Sequence, residues 1–179
     1  YERCAKVVTR YSAQPGLDLS ELFLRVVFSF VVGNSDMHLK NFSLIETASG
    51  SQNYILSGAY DMLPVNAILP NDDEQLALTV NGKKHNIRRN DFLKFAEVSG
   101  ISRGAATKMI RKILSMKDSY LSMCEGSCLP AHLKERFRLL IEERINVLLP
   151  EEVFSALQER NSVRVFLSAA NRLLQDLDA

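Results

Sequence analysis

The sequence predicts an α+β fold that is mainly helical. Three observations lead there. Residues 19–32 form an apolar run with helical spacing. Two short β-type runs, 42–45 and 54–56, flank a polar turn with Ser-Gly-Ser at its centre. From Asn90 onward, capped apolar stripes repeat at helical spacing.

The elements follow in order. Residues 1–12 read as a helix with Ala5, Val8 and Tyr11 among its inward candidates, ended by Gln14-Pro15-Gly16. Asp18 stands three residues before Glu21, the spacing of a capping box with Asp18 as N-cap. The helix it starts puts Leu22, Phe23, Val26, Val27, Phe30 and Val31 on one broad face, widened by Leu24 and Phe28. A helix apolar nearly all round is a buried one. The returning strand at 54–56 carries the chain toward Asp61, beside Asn41. Pro64 and Pro70 bound a loop, and residues 71–74 are acidic and expected at the surface. Leu76, Leu78 and Val80 alternate into Asn81-Gly82, a type I′ turn signal, so a second hairpin to about residue 87 is expected. Asn90 is the expected cap of a helix ending at Gly100. Ser102 caps the next, running to about Cys124 with Met109, Ile110, Ile113, Leu114 and Leu121 inward. Leu133, Phe137, Leu140, Ile141, Ile145 and Leu148 stripe a helix that stops at Pro150. A last stripe runs through Val163, Phe166, Leu167, Ala170, Leu173, Leu174 and Leu177.

The 179 residues suffice for one domain with a real core. Net charge is +1, from 22 basic and 21 acidic side chains, which argues against a broad nucleic-acid surface. No apolar run is long enough to span a membrane. Three cysteines fit a reducing cytoplasm better than a disulfide framework. Cys124, Cys128 and His132 are spaced for a metal only loosely, without a fourth ligand, and read as a loop between helices. Lys83, Lys84, His85, Arg88 and Arg89 read as a solvated turn, with phosphate or an acidic partner as the other option.

The chemistry concentrates at residues 33–44, GNSDMHLKNFSL. Asp36, His38, Lys40 and Asn41 place an acid, an imidazole, a cation and an amide within six residues. Apolar helix, polar loop, short strand is how protein kinases arrange their catalytic loop. There an Asp accepts the proton of the attacking hydroxyl, and an Asn five residues later holds Mg²⁺. Asp36 and Asn41 have that spacing, and Asp61 in SGAYDMLP is placed to be the second metal ligand. Phosphoryl transfer needs the hydroxyl positioned, its proton accepted and phosphate charge neutralised. His38 and Lys40 are the candidates to meet phosphate, Lys40 otherwise facing solvent. The bland alternative makes Asn34, Ser35 and Asp36 a polar turn and His38 a satisfied loop histidine.

Together GNSDMHLKNFSL, AYDMLP and the run LALTVNGK from Leu76 resemble the HipA family of bacterial Ser/Thr kinases, the toxins of toxin–antitoxin pairs. The resemblance covers residues 1–102 well and the helices to Pro150 loosely. It implies a protein-kinase-like C-terminal lobe over 1–150 and a helical extension over 151–179, packed on the lobe or on a partner. It implies ATP and Mg²⁺ as cofactors, with Asp36 catalytic and Asn41 and Asp61 on the metal. His38, Lys40 and Tyr60 would border the nucleotide. A protein substrate such as an aminoacyl-tRNA synthetase and a DNA-binding antitoxin of the HipB type are implied as partners, with no direct nucleic-acid contact and no membrane.

Two rivals stand beside this reading. Small-molecule kinases such as those acting on aminoglycosides share D-x-H-x-x-N but usually follow it with a different metal segment. A helical interaction module without catalysis is the other. No G-x-G-x-x-G loop, strand Lys or hinge precedes Asp36, and the chain begins at Tyr1 rather than Met. A fragment, a split kinase with a separate N-lobe chain, or a relic is expected, inactive on its own.

Overall fold

The computed structural model describes residues 1–69 and 74–150. In order these form α1 (Glu2–Tyr11), α2 (Pro15–Val32), a 3-10 turn (Leu39–Asn41), β1 (Leu44–Glu46), β2 (Tyr54–Leu56), α3 (Val65–Ile68), α4 (Arg89–Val98), α5 (Arg103–Ser115), α6 (Lys117–Glu125) and α7 (Ala131–Leu148). The described chain is thus mainly helical with one small sheet, as the sequence predicts. The expected helix within 151–179, and most of the acidic stretch before Glu74, lie outside the described residues.

The hub is α2. Leu22, Phe23, Val26, Val27, Phe30 and Val31 are at most 1% exposed. Each such side chain contributes roughly 1.5–3 kcal/mol by leaving water. Around α2 pack α1, α5, α7 and β2. Phe23 stacks on Phe95 with ring centres 5.9 Å apart, and Phe30 meets Phe92 edge-on at 5.2 Å. These contacts fix the helix whose C-terminal end launches residues 33–44.

Several boundaries differ from expectation for physical reasons. α2 begins at Pro15, because proline suits the first helical position, where its missing N–H costs nothing. Asp18 is therefore not its N-cap. Its buried carboxylate accepts from Ser12 Oγ at 2.7 Å, Gln14 Nε2 at 3.1 Å and the Leu56 N–H at 2.6 Å, tying α1, α2 and β2 together. Tyr11 points outward, under Arg10. The stretch after Pro64 holds the short α3 rather than only loop.

Asn81 and Gly82 do adopt positive φ, as a type I′ turn requires, but the expected second hairpin shrinks to one bridge between Val80 and Lys83. α4 is capped by Arg88 rather than Asn90, and the Asp91 carboxylate takes the Arg88 N–H at 2.9 Å. Gly100 follows α4 at φ +81°, and Ser102 Oγ caps α5 by accepting the Ala105 N–H. The single helix expected from Ser102 to Cys124 breaks at Met116 into α5 and α6. Lys83 pairs with Asp91 and Lys84 with Glu74, so these two charges are met internally, and Arg89 donates to the Leu148 carbonyl.

β1 and β2 are antiparallel, with Leu44 opposite Leu56, Ile45 opposite Ile55 and Glu46 opposite Tyr54. The Glu46 carboxylate caps the connecting turn through the Gly50 and Gln52 N–H groups. The hairpin returns the chain to the loop it left.

Candidate active site

The loop starts with a defined stop. Gly33 follows α2 at φ +73°, its N–H on the Phe30 carbonyl and the Asn34 N–H on the Ser29 carbonyl at 2.8 Å. These are the two bonds of a Schellman closure. The Gly33 carbonyl then accepts the Asn66 N–H at 2.9 Å, which brings α3 against the loop.

Within the loop, backbone and side chains separate by role. Gly33, Asn34, Ser35, Met37 and Asn41 are buried; Asp36, Leu39 and Lys40 are exposed and His38 is partly so. Met37 serves as the anchor, 1% exposed. The Tyr1 hydroxyl donates to its carbonyl at 2.7 Å, and burial pushes the Tyr1 phenol well above its ordinary range. The Asp36 side chain keeps 63% of its surface, and His38 Nε2 lies 3.7 Å from Asp36 Oδ1.

Asn41 and Asp61 come together. Asn41 is 4% exposed, and its Nδ2 donates to the Asp36 carbonyl and to Asp61 Oδ2, both at 3.1 Å. Both amide hydrogens are thereby spent on oxygen partners. Asp61 has φ +55°, a left-handed conformation uncommon for a residue with a Cβ. The Tyr60 hydroxyl closes the other end, 2.9 Å from the Lys40 carbonyl and 2.6 Å from Ser43 Oγ. The six residues singled out from sequence thus share one surface region. Tyr60 there uses its hydroxyl as a clasp between the two segments.

Sequence reasoning left out the residues that hold this arrangement. Asn34 bonds to both segments; from sequence it was read only as part of a polar turn with Ser35 and Asp36, with no link to Asp61. Tyr1 carried no local signal, because its partner lies 36 residues away. An apolar cavity of about 690 Å³ also borders the loop. Leu39, Phe42 and Ser43 line it with Val7, Leu56 and Leu78, but none of the six predicted site residues does.

Comparison with known proteins identifies the family. Residues 1–120 match the HipA-like C-terminal domain family. The chain belongs to that family. This HipA-like domain is 29% identical over 122 residues to "Putative kinase Y4mE" of Sinorhizobium fredii, covering 66% of the chain and 27% of the relative. It is 25% identical over 146 residues to a Haemophilus influenzae protein named "Putative kinase", covering 73% and 42%. A chain of the solved Shewanella oneidensis MR-1 toxin–antitoxin complex of HipA, HipB and operator DNA superposes with a TM-score of 0.68 at 16% identity. That match covers 86% of the HipA-like domain and 37% of the solved chain, and shows a shared fold. The domain therefore spans less than half the length of these relatives. Among the described residues no helix is long and apolar enough to cross a membrane.

Proposed function

We propose that this chain is the C-terminal lobe of a HipA-type protein Ser/Thr kinase, the toxin of a toxin–antitoxin pair, and that Asp36 is its catalytic residue. The observation that carries the reading is the Asn41–Asp61 bond beside an exposed Asp36. It joins the two polar positions that phosphoryl-transfer chemistry requires on one side of the acid.

The donor set fits Mg²⁺. With its two amide hydrogens committed, Asn41 has its carbonyl oxygen left for a cation, and Asp61 adds a carboxylate. Both are hard oxygen donors, and Mg²⁺ is held by one or two carboxylates plus substrate phosphates. When bound, the ion would neutralise phosphate charge and orient ATP. Asn41 and Asp61 are the residues that would hold it. Asp36 orients the attacking hydroxyl of a protein substrate and receives its proton at a carboxylate oxygen. His38 and Lys40 supply donors toward phosphate, and Tyr60 borders the nucleotide while bracing Lys40 and Ser43. The family and the relatives named as kinases support the kinase reading. By the same reasoning, the HipB of the Shewanella complex supports an antitoxin of that kind as partner, and a translation enzyme such as an aminoacyl-tRNA synthetase is the proposed substrate class.

The test is the intact protein with labelled ATP and Mg²⁺. Asp36→Asn is expected to cut phosphate incorporation by about 10²–10⁴-fold, the usual worth of a general base. Its melting temperature should not change, because the side chain is exposed. Near-normal incorporation by this variant removes Asp36 from the role.

A further inference from the structure

We propose that Asn34 is the positioning residue that couples the Asp36 loop to the Asp61 segment and so sets how the two carboxylates face each other. The inference rests on the kinase reading above and deepens it.

Asn34 is fully buried. Its Oδ1 accepts the Asp36 N–H at 3.2 Å, an Asx-type turn. Its Nδ2 donates to the Asp61 carbonyl at 3.2 Å and lies 3.9 Å from Met62 Sδ. One rigid amide therefore touches both segments, donor on one and acceptor on the other. Few side chains offer both on a single short plane. An aliphatic residue would strip both backbone groups of this partner. Aspartate would turn an oxygen toward the Asp61 carbonyl.

The second half of the argument is the Asp61 backbone. The left-handed region is less costly for aspartate than for most residues with a Cβ but still uncommon, and it is favoured where the surroundings hold the backbone. At Asp61 the held group is the carbonyl, and Asn34 holds it. Asn34 is itself referenced to the core, since its N–H closes the end of α2 on the Ser29 carbonyl. The chain of constraint runs from buried helix to Asn34 to Asp61. Releasing it lets Asp61 return to negative φ and swings its carboxylate from Asn41.

The experiment uses the intact protein as wild type, Asn34→Ala and Asn34→Ser, with Ile141→Val as a control that loosens the core without removing either Asn34 bond. Two measurements are made. Mn²⁺ binding in the presence of a non-hydrolysable ATP analogue is followed by electron paramagnetic resonance. Amide exchange at Asp36 and the Asp61 amide resonance are followed by nuclear magnetic resonance. Both Asn34 variants are expected to weaken Mn²⁺ binding by about 10- to 100-fold, the usual effect of losing a group that orients a metal ligand. Asp36 exchange should speed up about tenfold as its acceptor is lost, while Ile141→Val moves neither. Asn34→Ser keeps a polar group at the site and serves should Asn34→Ala not fold. Mn²⁺ binding within twofold of wild type, with unchanged Asp36 exchange, overturns the proposal. If the wild type binds no Mn²⁺-nucleotide, the kinase reading fails. The loop then still decides: faster Asp36 exchange together with a shifted Asp61 amide resonance upholds the coupling, and either one unchanged overturns it.

Discussion

Gly33→Ala is the sharpest single test of how the loop is launched. Gly33 sits at φ +73°, and a Cβ there would fall on Leu140 Cδ2 of α7, far inside van der Waals contact, and 3.2 Å from Asn66 Cβ. Two costs follow. The left-handed conformation costs alanine roughly 1–2 kcal/mol. Leu140 is only partly buried, so it can rotate away, at about 0.5–1.5 kcal/mol for an off-rotamer side chain. The total is about 1.5–3.5 kcal/mol, or about 3–14 °C in melting temperature for a chain of this size. Gly100→Ala supplies the calibration: it has φ +81° with open space where its Cβ would go, so it bears only the conformational cost. Thermal and urea melts of wild type, both single variants, and Gly33→Ala in a Leu140→Ala background separate the terms. In that background the added cost of Gly33→Ala should fall to the Gly100→Ala value. If Gly33→Ala is no more destabilising than Gly100→Ala, the account of the α2–α7 junction is wrong.

The other expected outcomes are more direct. In the intact protein, Asn41→Ala and Asp61→Ala should each raise half-saturating Mg²⁺ about tenfold or more as well as slow transfer; unchanged Mg²⁺ dependence in either removes it as a ligand. Burial works to raise the Asp91 carboxyl, but bonds from Asn81, the Arg88 N–H and Lys83 outweigh it and hold the group below the ordinary carboxylate range. Its stabilisation is therefore full above about pH 4 and lost as pH falls through the lower folded value. Melting temperature followed from about pH 6 to about pH 2 should decline less steeply in Asp91→Asn than in wild type, and identical acid limbs would remove Asp91 from the linkage. Arg144 is 6% exposed, its guanidinium 4.8 Å from the Phe30 ring centre, with Nε and Nη1 lacking hydrogen-bond partners among the described residues. Burial lowers its pKa. Arg144→Met should raise the melting temperature by about 2–4 °C, about 1 kcal/mol gained by removing a buried charge with two unpartnered nitrogens; a fall of that size would show that the cation–π contact dominates.

What could be read from sequence was whatever is encoded locally. The apolar face of α2, the Ser102 cap, the Gly100 stop and the Asn81-Gly82 turn each rest on residues a few positions apart, and each is present. The Asp36–Asn41 spacing was legible for the same reason. The join of Asn41 to Asp61 was expected from the hairpin between them, whose returning strand lies where the β-type run indicated. The misses involve bonds across the fold. Asp18 looked like a cap from its spacing to Glu21, whereas one of its partners, the Leu56 N–H, lies 38 residues on. The break at Met116 has no Gly or Pro to announce it, and the apolar stripe runs on through it. The second hairpin had its turn but only one bridge beyond it, so alternation alone overstated the pairing.

The bond from Tyr1 to the Met37 carbonyl has a kinetic side. It closes a loop of 36 residues, and the Asn34–Asp61 and Asn41–Asp61 bonds close loops of 27 and 20. Loop closure must be completed before such contacts return any energy, whereas helical turns form from neighbours. The Asp36 loop has only a 3-10 turn of regular structure and is held by a few such bonds, so it is expected to loosen on warming while the packed α2 core still stands. Heat should therefore silence the site before it melts the helices, and Asp36 amide exchange followed alongside helical circular dichroism through the same ramp would reveal the gap; coincident transitions would mean that loop and core form one cooperative unit.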